Sequence, residues 1–107
     1  NFDGKHPYNN GSVSEYRQQT VAVKKLPCND WGLHQMHGNV WEWCQDWYGE
    51  YPAQPVTNPQ GMESGVARVL RGGSWILFGG DCRSANRLHF DPSDRINYTG
   101  FRLARGQ

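Results

Sequence analysis

The chain has 107 residues, with 11 basic and 10 acidic side chains and a formal net charge of +1 at pH 7. This length fits a single domain, and the charge offers no electrostatic attraction for nucleic acid. No apolar run reaches the roughly 18 residues that a membrane-spanning helix needs. The 13 glycines, six prolines and five tryptophans predict a loop-rich fold stabilised by buried aromatic rings.

Few regular elements are predicted in the first half of the chain. Residues 1–20 are polar and rich in turn formers, which predicts an irregular surface loop. Because its first four residues neither cap nor begin an element, we expect the chain to be the C-terminal part of a longer protein. A short extended run is predicted over residues 21–23 and a turn over 26–33. The spacing of Trp41 and Trp43 fits a strand, whereas the spacing of Trp43 and Trp47 fits a helix, so both elements stay open for this segment.

The second half predicts short strands joined by loops. Residues 49–66 contain three prolines and three glycines and are predicted to form a connecting loop. The best strand candidates are residues 66–70, 83–87 and 99–104. Arginines within or beside these strands are predicted to brace carbonyl and carboxylate groups with their forked donors, in preference to binding a substrate. These arginines are Arg68, Arg71, Arg83, Arg87 and Arg102.

The cysteines and histidines give no metal-binding pattern. Cys28, Cys44 and Cys82 allow at most one disulfide within the chain, no CxxC is present, and the redox compartment stays open. We expect these thiols to be small buried side chains. His34 and His37 would share one face of a helix, but no cysteine or carboxylate stands at a ligand spacing from them. We therefore do not expect a transition-metal site.

Three sequence blocks carry a resemblance to a known family. They are Gly38-Asn39-Val40-Trp41-Glu42-Trp43, Arg68-Val69-Leu70-Arg71-Gly72-Gly73-Ser74-Trp75 and Gly100-Phe101-Arg102-Leu103. In this order they resemble the sulfatase-modifying-factor family, which includes the formylglycine-generating enzyme and has a C-type-lectin-like fold. The resemblance runs nearly from end to end. It implies that residues 1–107 belong to one α+β, C-type-lectin-like domain, loop-rich with short antiparallel strands.

The resemblance also implies structural calcium, because this turn binds a calcium ion in the family. Hard oxygen donors in a tight, glycine-containing turn are the ligand type that calcium prefers. Carried over by position, the first ligand set is Gln35 and Glu42 through their side chains, with the carbonyls of Gly38 and Val40. Gln35 stands where the family usually has Asp or Asn. The alternative is that Glu42 pairs with a buried arginine. A second set would comprise Asn1, Glu15 and the carbonyls of Phe2 and Arg17.

A catalytic pair of cysteines is missing. The formylglycine-generating enzyme holds copper(I) with two cysteines that follow the GGS-aromatic block and are separated by four residues. Here Leu77 takes the place of the first cysteine, and Cys82 lies at the distance of the second, in a context that resembles a later, structural cysteine. Copper(I) requires paired soft thiolates, so the resemblance implies that copper is not expected and that the aldehyde-generating activity is absent.

Residues 76–81, 88–91 and 96–99 differ in composition from the framework around them. These segments contain no Lys, Glu, Gln, Met or Trp, and every residue type in them can be encoded by a codon that ends in C. This resembles the C-terminal variable region of diversity-generating-retroelement proteins, which use the same fold to display diversified binding surfaces. Ordinary members of the family also vary in these loops, so both interpretations stay open.

The same segments predict a binding surface. If the loops converge, their large apolar residues form an exposed patch ringed by acidic residues and a histidine, and such patches mark partner sites. The alternative is that half of these residues point into the core. The predicted ligand-binding residues are Ile76, Leu77, Phe78, Asp81, Leu88, His89, Phe90, Asp91, Ile96, Asn97 and Tyr98.

We therefore predict a non-catalytic module that binds a protein or other macromolecular ligand and contacts the remainder of its own polypeptide. Nucleic-acid binding and membrane insertion are not expected. An oxidase or accessory enzyme of the same family, and a purely structural domain, are the alternatives.

Overall fold

The computed structural model describes residues 1–104. Within them, the chain forms four strands: β1 (Trp41–Trp47), β2 (Arg68–Arg71), β3 (Leu88–Phe90) and β4 (Thr99–Gly100). A 3-10 turn spans Gly79–Cys82. The strands make one sheet in the order β3-β2-β1-β4. β2 runs antiparallel to both β1 and β3, whereas the β1–β4 pair is parallel.

The ambiguous tryptophan spacing resolves into a strand with a bulge. Trp43 is paired with Leu70 and Trp47 with Arg68, so the three residues 44–46 lie opposite Val69 alone. Extra residues on one strand of an antiparallel pair bend it and shift its alternation of faces. The four-residue spacing that fitted a helix is therefore the bulge in β1.

The register assigns the two faces of the sheet. Cross-strand partners point to the same face, so Trp43, Leu70 and Leu88 share one face. Val69 and His89 share the opposite face. The buried apolar core is small and consists of Trp41, Val69, Leu70 and Cys82, with Leu70 fully inaccessible to solvent.

The loop-rich fold with short strands is confirmed, but the predictions for three extended segments need correction. The segment 83–87 is a turn, because the Asn86 amide donates to the Arg83 carbonyl (3.0 Å) and the Asn86 side chain donates to the Asp81 carbonyl (2.7 Å). The strand lies immediately after it, in β3. Of residues 99–104 only Thr99–Gly100 is paired, and residues 21–23 form no strand. No helix in the described part of the chain could cross a membrane.

The bracing role predicted for the arginines is confirmed. Arg71 Nη1 lies 3.0–3.3 Å from the carbonyl oxygens of residues 84–86, and its Nη2 donates to the Tyr51 hydroxyl (2.9 Å). Arg83 Nε donates to the Gly80 carbonyl (2.8 Å) and Arg87 Nη2 to the Gly49 carbonyl (2.6 Å). Arg68 donates to the Gln45 carbonyl, and Arg102 is described below.

All three cysteines are free thiols with different exposures. Cys82 is buried, as predicted, whereas Cys44 is only half-buried and Cys28 is exposed, so the prediction of burial is wrong for Cys28 and only partly met by Cys44. Desolvation by burial raises the pKa of the Cys82 thiol and of the Cys44 thiol.

Candidate functional site

An apolar cavity of about 380 Å³ lies at one end of the sheet. Its walls come from the start of β1, the start of β3, the segment around the 3-10 turn and the residue before β4. Its lining residues are Trp41, Ile76, Leu77, Asp81, Asn86, Leu88 and Tyr98. Of these, Ile76, Leu77, Asp81, Leu88 and Tyr98 were predicted from the sequence as ligand-binding residues; we refer to this space as the apolar cavity.

Main-chain hydrogen bonds bring the distant segments together. The Trp41 amide donates to the Tyr98 carbonyl (2.8 Å), and Trp41 is the register partner of Thr99. The Leu77 amide donates to the Ser74 carbonyl (3.2 Å), and the Trp75 amide donates to the Asn39 carbonyl (2.9 Å). The segment that follows β2 is therefore folded back beside the start of β1.

A double-glycine turn permits this fold-back. Gly72 and Gly73 have φ of +94° and +75°, in the left-handed region that side chains other than glycine rarely adopt. A Cβ atom on Gly73 would lie 2.6 Å from Cys82 Sγ. The turn places Ser74 in the interior with no exposed surface. At Gly73, glycine is favoured both by the backbone conformation and by the lack of space for a side chain.

Two more predicted residues line a neighbouring cavity. Ile96 and Asn97 border a space of about 520 Å³ whose wall also includes Trp43 and Phe101. Ile96 and Tyr98 belong to the same segment 96–99 but line different cavities.

The four remaining predicted ligand residues lie elsewhere. Phe78 is tilted against the His6 ring, with centroids 4.3 Å apart, and is 52% exposed. His89 lies on the opposite face of the sheet and contacts the Tyr48 ring at a centroid distance of 4.0 Å. Phe90 is a half-buried residue of β3 paired with Arg68.

Asp91 caps the turn that follows β3. Its carboxylate accepts hydrogen bonds from the Ser93 amide (2.9 Å) and hydroxyl (2.7 Å), and these bonds lower the pKa of Asp91. Hydrogen bonds that stabilise the ionised form of a carboxyl group lower its pKa. The structure thus gives Asp91 a local structural partner on an exposed turn.

The predicted apolar patch is only partly exposed. Ile76 and Phe78 are exposed, whereas Leu77, Leu88, Phe90, Ile96 and Tyr98 are half-buried and none is fully buried. Sequence reasoning missed two lining residues of the apolar cavity, Trp41 and Asn86. Trp41 lies in the first of the three sequence blocks that carry the resemblance, and it lines the cavity beside Tyr98, the residue before its register partner Thr99.

At the first calcium set, an arginine already contacts the carboxylate. Arg102 Nε lies 3.1 and 2.9 Å from the two Glu42 oxygens, and its Nη2 lies 2.7 Å from Glu42 Oε1. These hydrogen bonds raise the pKa of Arg102. The arginine alternative for Glu42 is therefore the observed arrangement, although the Arg102 side chain is 34% exposed instead of buried.

The rest of this donor set is also engaged. Gln35 Nε2 donates to the Ala22 carbonyl (3.1 Å), and Gln35 Oε1 accepts from Asn39 at 3.5 Å. In this arrangement the set of Gln35, Gly38, Val40 and Glu42 does not fit calcium, because a cation at the carboxylate would have to displace Arg102.

The second calcium set contains an unpartnered oxygen. Asn1 Oδ1 is buried and has no hydrogen-bond partner among the described residues, whereas Asn1 Nδ2 donates to the Gln19 carbonyl (2.9 Å) and to Asn39 Oδ1 (3.1 Å). Glu15 pairs with Arg17 at 3.0 Å and is largely exposed. A buried oxygen without a donor is a suitable ligand for a hard cation. In the set of Asn1, Phe2, Glu15 and Arg17, Asn1 Oδ1 is therefore available to a cation, whereas the Glu15 carboxylate is paired with Arg17 as that of Glu42 is with Arg102.

Transition-metal donors are not assembled in residues 1–104. No group of three or more His, Cys, Asp or Glu side chains converges there. His34 Nδ1 lies 2.8 Å from the Leu26 carbonyl oxygen, and His37 Nδ1 lies 2.8 Å from the Cys82 carbonyl oxygen. Both rings therefore have main-chain partners.

The residue that the resemblance aligns with the family's first thiol is Leu77, whose side chain is a hydrocarbon. Leu77 lines the apolar cavity, while Cys82 is buried and its Sγ lies 3.9 Å from the Ser74 carbonyl oxygen, within range of a weak S–H hydrogen bond. A raised thiol pKa disfavours the thiolate that a soft metal needs. The residues present here do not fit a two-thiolate copper(I) site.

Comparison with known proteins gives consistent matches. Residues 2–107 match the family model of the sulfatase-modifying factor enzyme 1-like domain. The chain is 44% identical over 95 residues to the serine/threonine-protein kinase pkn1 of Chlamydia caviae, covering 85% of this chain and 15% of that protein. It is 37% identical over 108 residues to the formylglycine-generating enzyme of Streptomyces coelicolor, covering 96% and 34%, respectively.

Among solved structures, Treponema denticola variable protein 1 matches with a TM-score of 0.74 and 37% identity, covering 82% of this chain and 32% of that one. The chain thus spans about a third or less of the length of these relatives.

Proposed function

The chain belongs to the sulfatase-modifying factor family and has its C-type-lectin-like fold, and from this premise we propose that it is a non-catalytic module that binds a protein or other macromolecular ligand. One observation carries the proposal. An apolar cavity, open to solvent, is lined by Leu77, the residue that the sequence resemblance aligns with the first thiol of the family's enzyme.

The physical basis is the incomplete burial of large apolar side chains. Ile76 is 43% exposed at the cavity, and Leu77, Leu88 and Tyr98 are half-buried beside it. Covering such surface contributes about 25 cal/mol per Å² of apolar area removed from water. A partner side chain that fills the cavity gains this energy without any rearrangement of the sheet.

We further propose that the surface is diversified. Similarity to a solved protein titled variable protein 1 supports this, as does the composition of residues 76–81, 88–91 and 96–99. A nearby template copy of the coding DNA, differing only at adenines and next to a reverse transcriptase gene, would establish diversification. A template that differs at other bases as well would contradict it.

A second candidate function is an oxidase or accessory enzyme. Identity of 37% to a formylglycine-generating enzyme favours it. It would need chemistry other than copper(I) held by two thiolates, because Leu77 supplies no ligand atom.

The binding function is tested by selection from a random peptide library displayed on phage. We expect the purified protein to enrich peptides whose affinity falls about tenfold or more with Ile76→Glu, because a carboxylate in an apolar contact loses hydration. Val66→Glu is the matched control, since Val66 is 87% exposed and lies outside the lining of the cavity. Failure to enrich any peptide, or equal binding by the Ile76→Glu variant, would contradict the proposal.

We also propose structural calcium at the second set. Saturating calcium should raise Tm by about 5 °C, because a ligand that binds only the folded state stabilises it, and about 1 kcal/mol shifts Tm by about 4–8 °C at this size. Asn1→Ala should remove the shift and Glu42→Gln should leave it, as measured by thermal unfolding against an EDTA-treated sample. Equal Tm of the unsubstituted protein in calcium and in EDTA would refute the site.

A further inference from the structure

We infer that the partner presents a basic side chain beside an apolar one, and that Asp81 is the residue that selects the basic group. The inference rests on the proposed binding function and adds the chemistry of the partner. It follows from the charges at the apolar cavity and from the partners of the side chains around it.

Asp81 is the one charged residue in the lining of the apolar cavity. The other lining residues are apolar or aromatic, apart from the amide of Asn86, and none is cationic. Ion pairing in a space with apolar walls is screened less than in open water. A single carboxylate therefore gives this cavity a preference for positively charged groups, which its apolar walls cannot supply.

The Asp81 backbone is fixed while its carboxylate is unpaired. The Asp81 amide donates to the Phe78 carbonyl (3.0 Å), and its carbonyl accepts from Asn86 Nδ2 (2.7 Å). Among residues 1–104, the carboxylate itself makes no hydrogen bond and no ion pair, and Asp81 is exposed. The Asp81 carboxylate can therefore accept a hydrogen bond from a donor group of a partner.

The nearby arginines already have other partners. Arg83 donates to the Gly80 carbonyl and lies over the Tyr8 ring at 5.9 Å. Arg87 donates to the Gly49 carbonyl and lies 4.5 and 4.0 Å from the rings of Tyr48 and Tyr51. Neither guanidinium forms an ion pair with Asp81 in the described residues, so a lysine or arginine of the partner is the complementary group.

The specificity arises from both attraction and repulsion. A partner with an apolar side chain in the cavity and an adjacent Lys or Arg gains the charge interaction, whereas an Asp or Glu at the same place is repelled. Specificity is the difference between these affinities, and a charge pair at the rim of an interface depends strongly on salt.

The experiment uses the same random peptide library with the purified protein, its Asp81→Asn and Asp81→Lys variants, and Glu63→Lys as a control. Glu63 is exposed and distant in sequence from the cavity residues, and its substitution changes the net charge as Asp81→Lys does. We expect the unsubstituted protein and the control to enrich peptides with Lys or Arg next to a large apolar residue. Asp81→Asn should lower the affinity for these peptides about five- to tenfold at low salt, and the difference in affinity should shrink at high salt. Asp81→Lys should instead enrich Asp or Glu at that position.

The outcomes separate the two proposals. Peptides that lose affinity with Ile76→Glu but show no basic preference, and bind the Asp81 variants equally well, would overturn the inference and leave the binding function intact. Absence of any peptide sensitive to Ile76→Glu would overturn the binding function itself.

Discussion

Replacing Gly73 with alanine is expected to destabilise the fold by about 3 kcal/mol, one of the two largest effects in this domain. A left-handed backbone costs a residue with a side chain about 1–2 kcal/mol, and Gly73 has φ of +75°. Its Cβ would also lie 2.6 Å from Cys82 Sγ and 2.8 Å from Cys82 Cα. Because a backbone atom cannot move aside cheaply, this crowding adds about 1–3 kcal/mol. Urea-induced unfolding measures the loss.

Gly32→Ala is the matched control for this substitution. Gly32 has nearly the same φ, +74°, but a Cβ there would meet no atom within 4 Å. Only the conformational cost should appear, so Gly32→Ala should lose about 1–2 kcal/mol. Equal losses in the two variants would show that Cys82 does not crowd Gly73.

Replacing Arg71 with methionine is expected to cost about 2–3 kcal/mol, because hydrogen bonds from a charged donor contribute about 1.5–3 kcal/mol. Arg71 connects β2 to the carbonyls of residues 84–86 and to the Tyr51 hydroxyl. Its loss leaves these carbonyls without a donor in the turn that leads into β3. Arg71→Lys should recover little, since an ammonium group lacks the planar fork.

Arg95→Met provides the control for Arg71→Met. Arg95 is exposed and makes no hydrogen bond or ion pair with the described residues. Its replacement should change the free energy of unfolding by about 0.5 kcal/mol or less. If Arg71→Met unfolds at the same urea concentration as Arg95→Met, the bracing role assigned to Arg71 is wrong.

The sequence predicted those parts of the fold that depend on local chemistry. The arginines among small and apolar residues were predicted to brace carbonyl groups, and Arg71, Arg83 and Arg87 do so. Family resemblance then supplied the fold class, which the structural match confirms.

The features that the sequence did not predict depend on pairing between residues that are distant in the chain or on side-chain hydrogen bonds. The bulge in β1 was indistinguishable from a helical turn in the sequence, because both are compatible with a spacing of four from Trp43 to Trp47. The face of His89 depends on its register with Val69, which lies twenty residues earlier. The strand predicted at 83–87 failed because the Asn86 side chain closes a turn on Asp81.

The candidate site was also predicted only in part, for the same reason. The segments 76–81 and 88–91 were predicted as a surface, and their first residues do line the apolar cavity. Which side chains of these segments face the cavity depends on β3 and on the Trp41–Tyr98 hydrogen bond. Phe78 and His89 could not be separated from Ile76 and Leu88 by composition alone.

The most direct measurement is an anaerobic copper(I) titration against a competing chelator of known affinity, with Cys82→Ser alongside. With a hydrocarbon at position 77, the chelator should keep the metal, and the two proteins should give superimposable curves. Tight uptake of one copper(I) per chain by two sulfur ligands, abolished by Cys82→Ser, would contradict the central claim that this scaffold binds without catalysing oxidation.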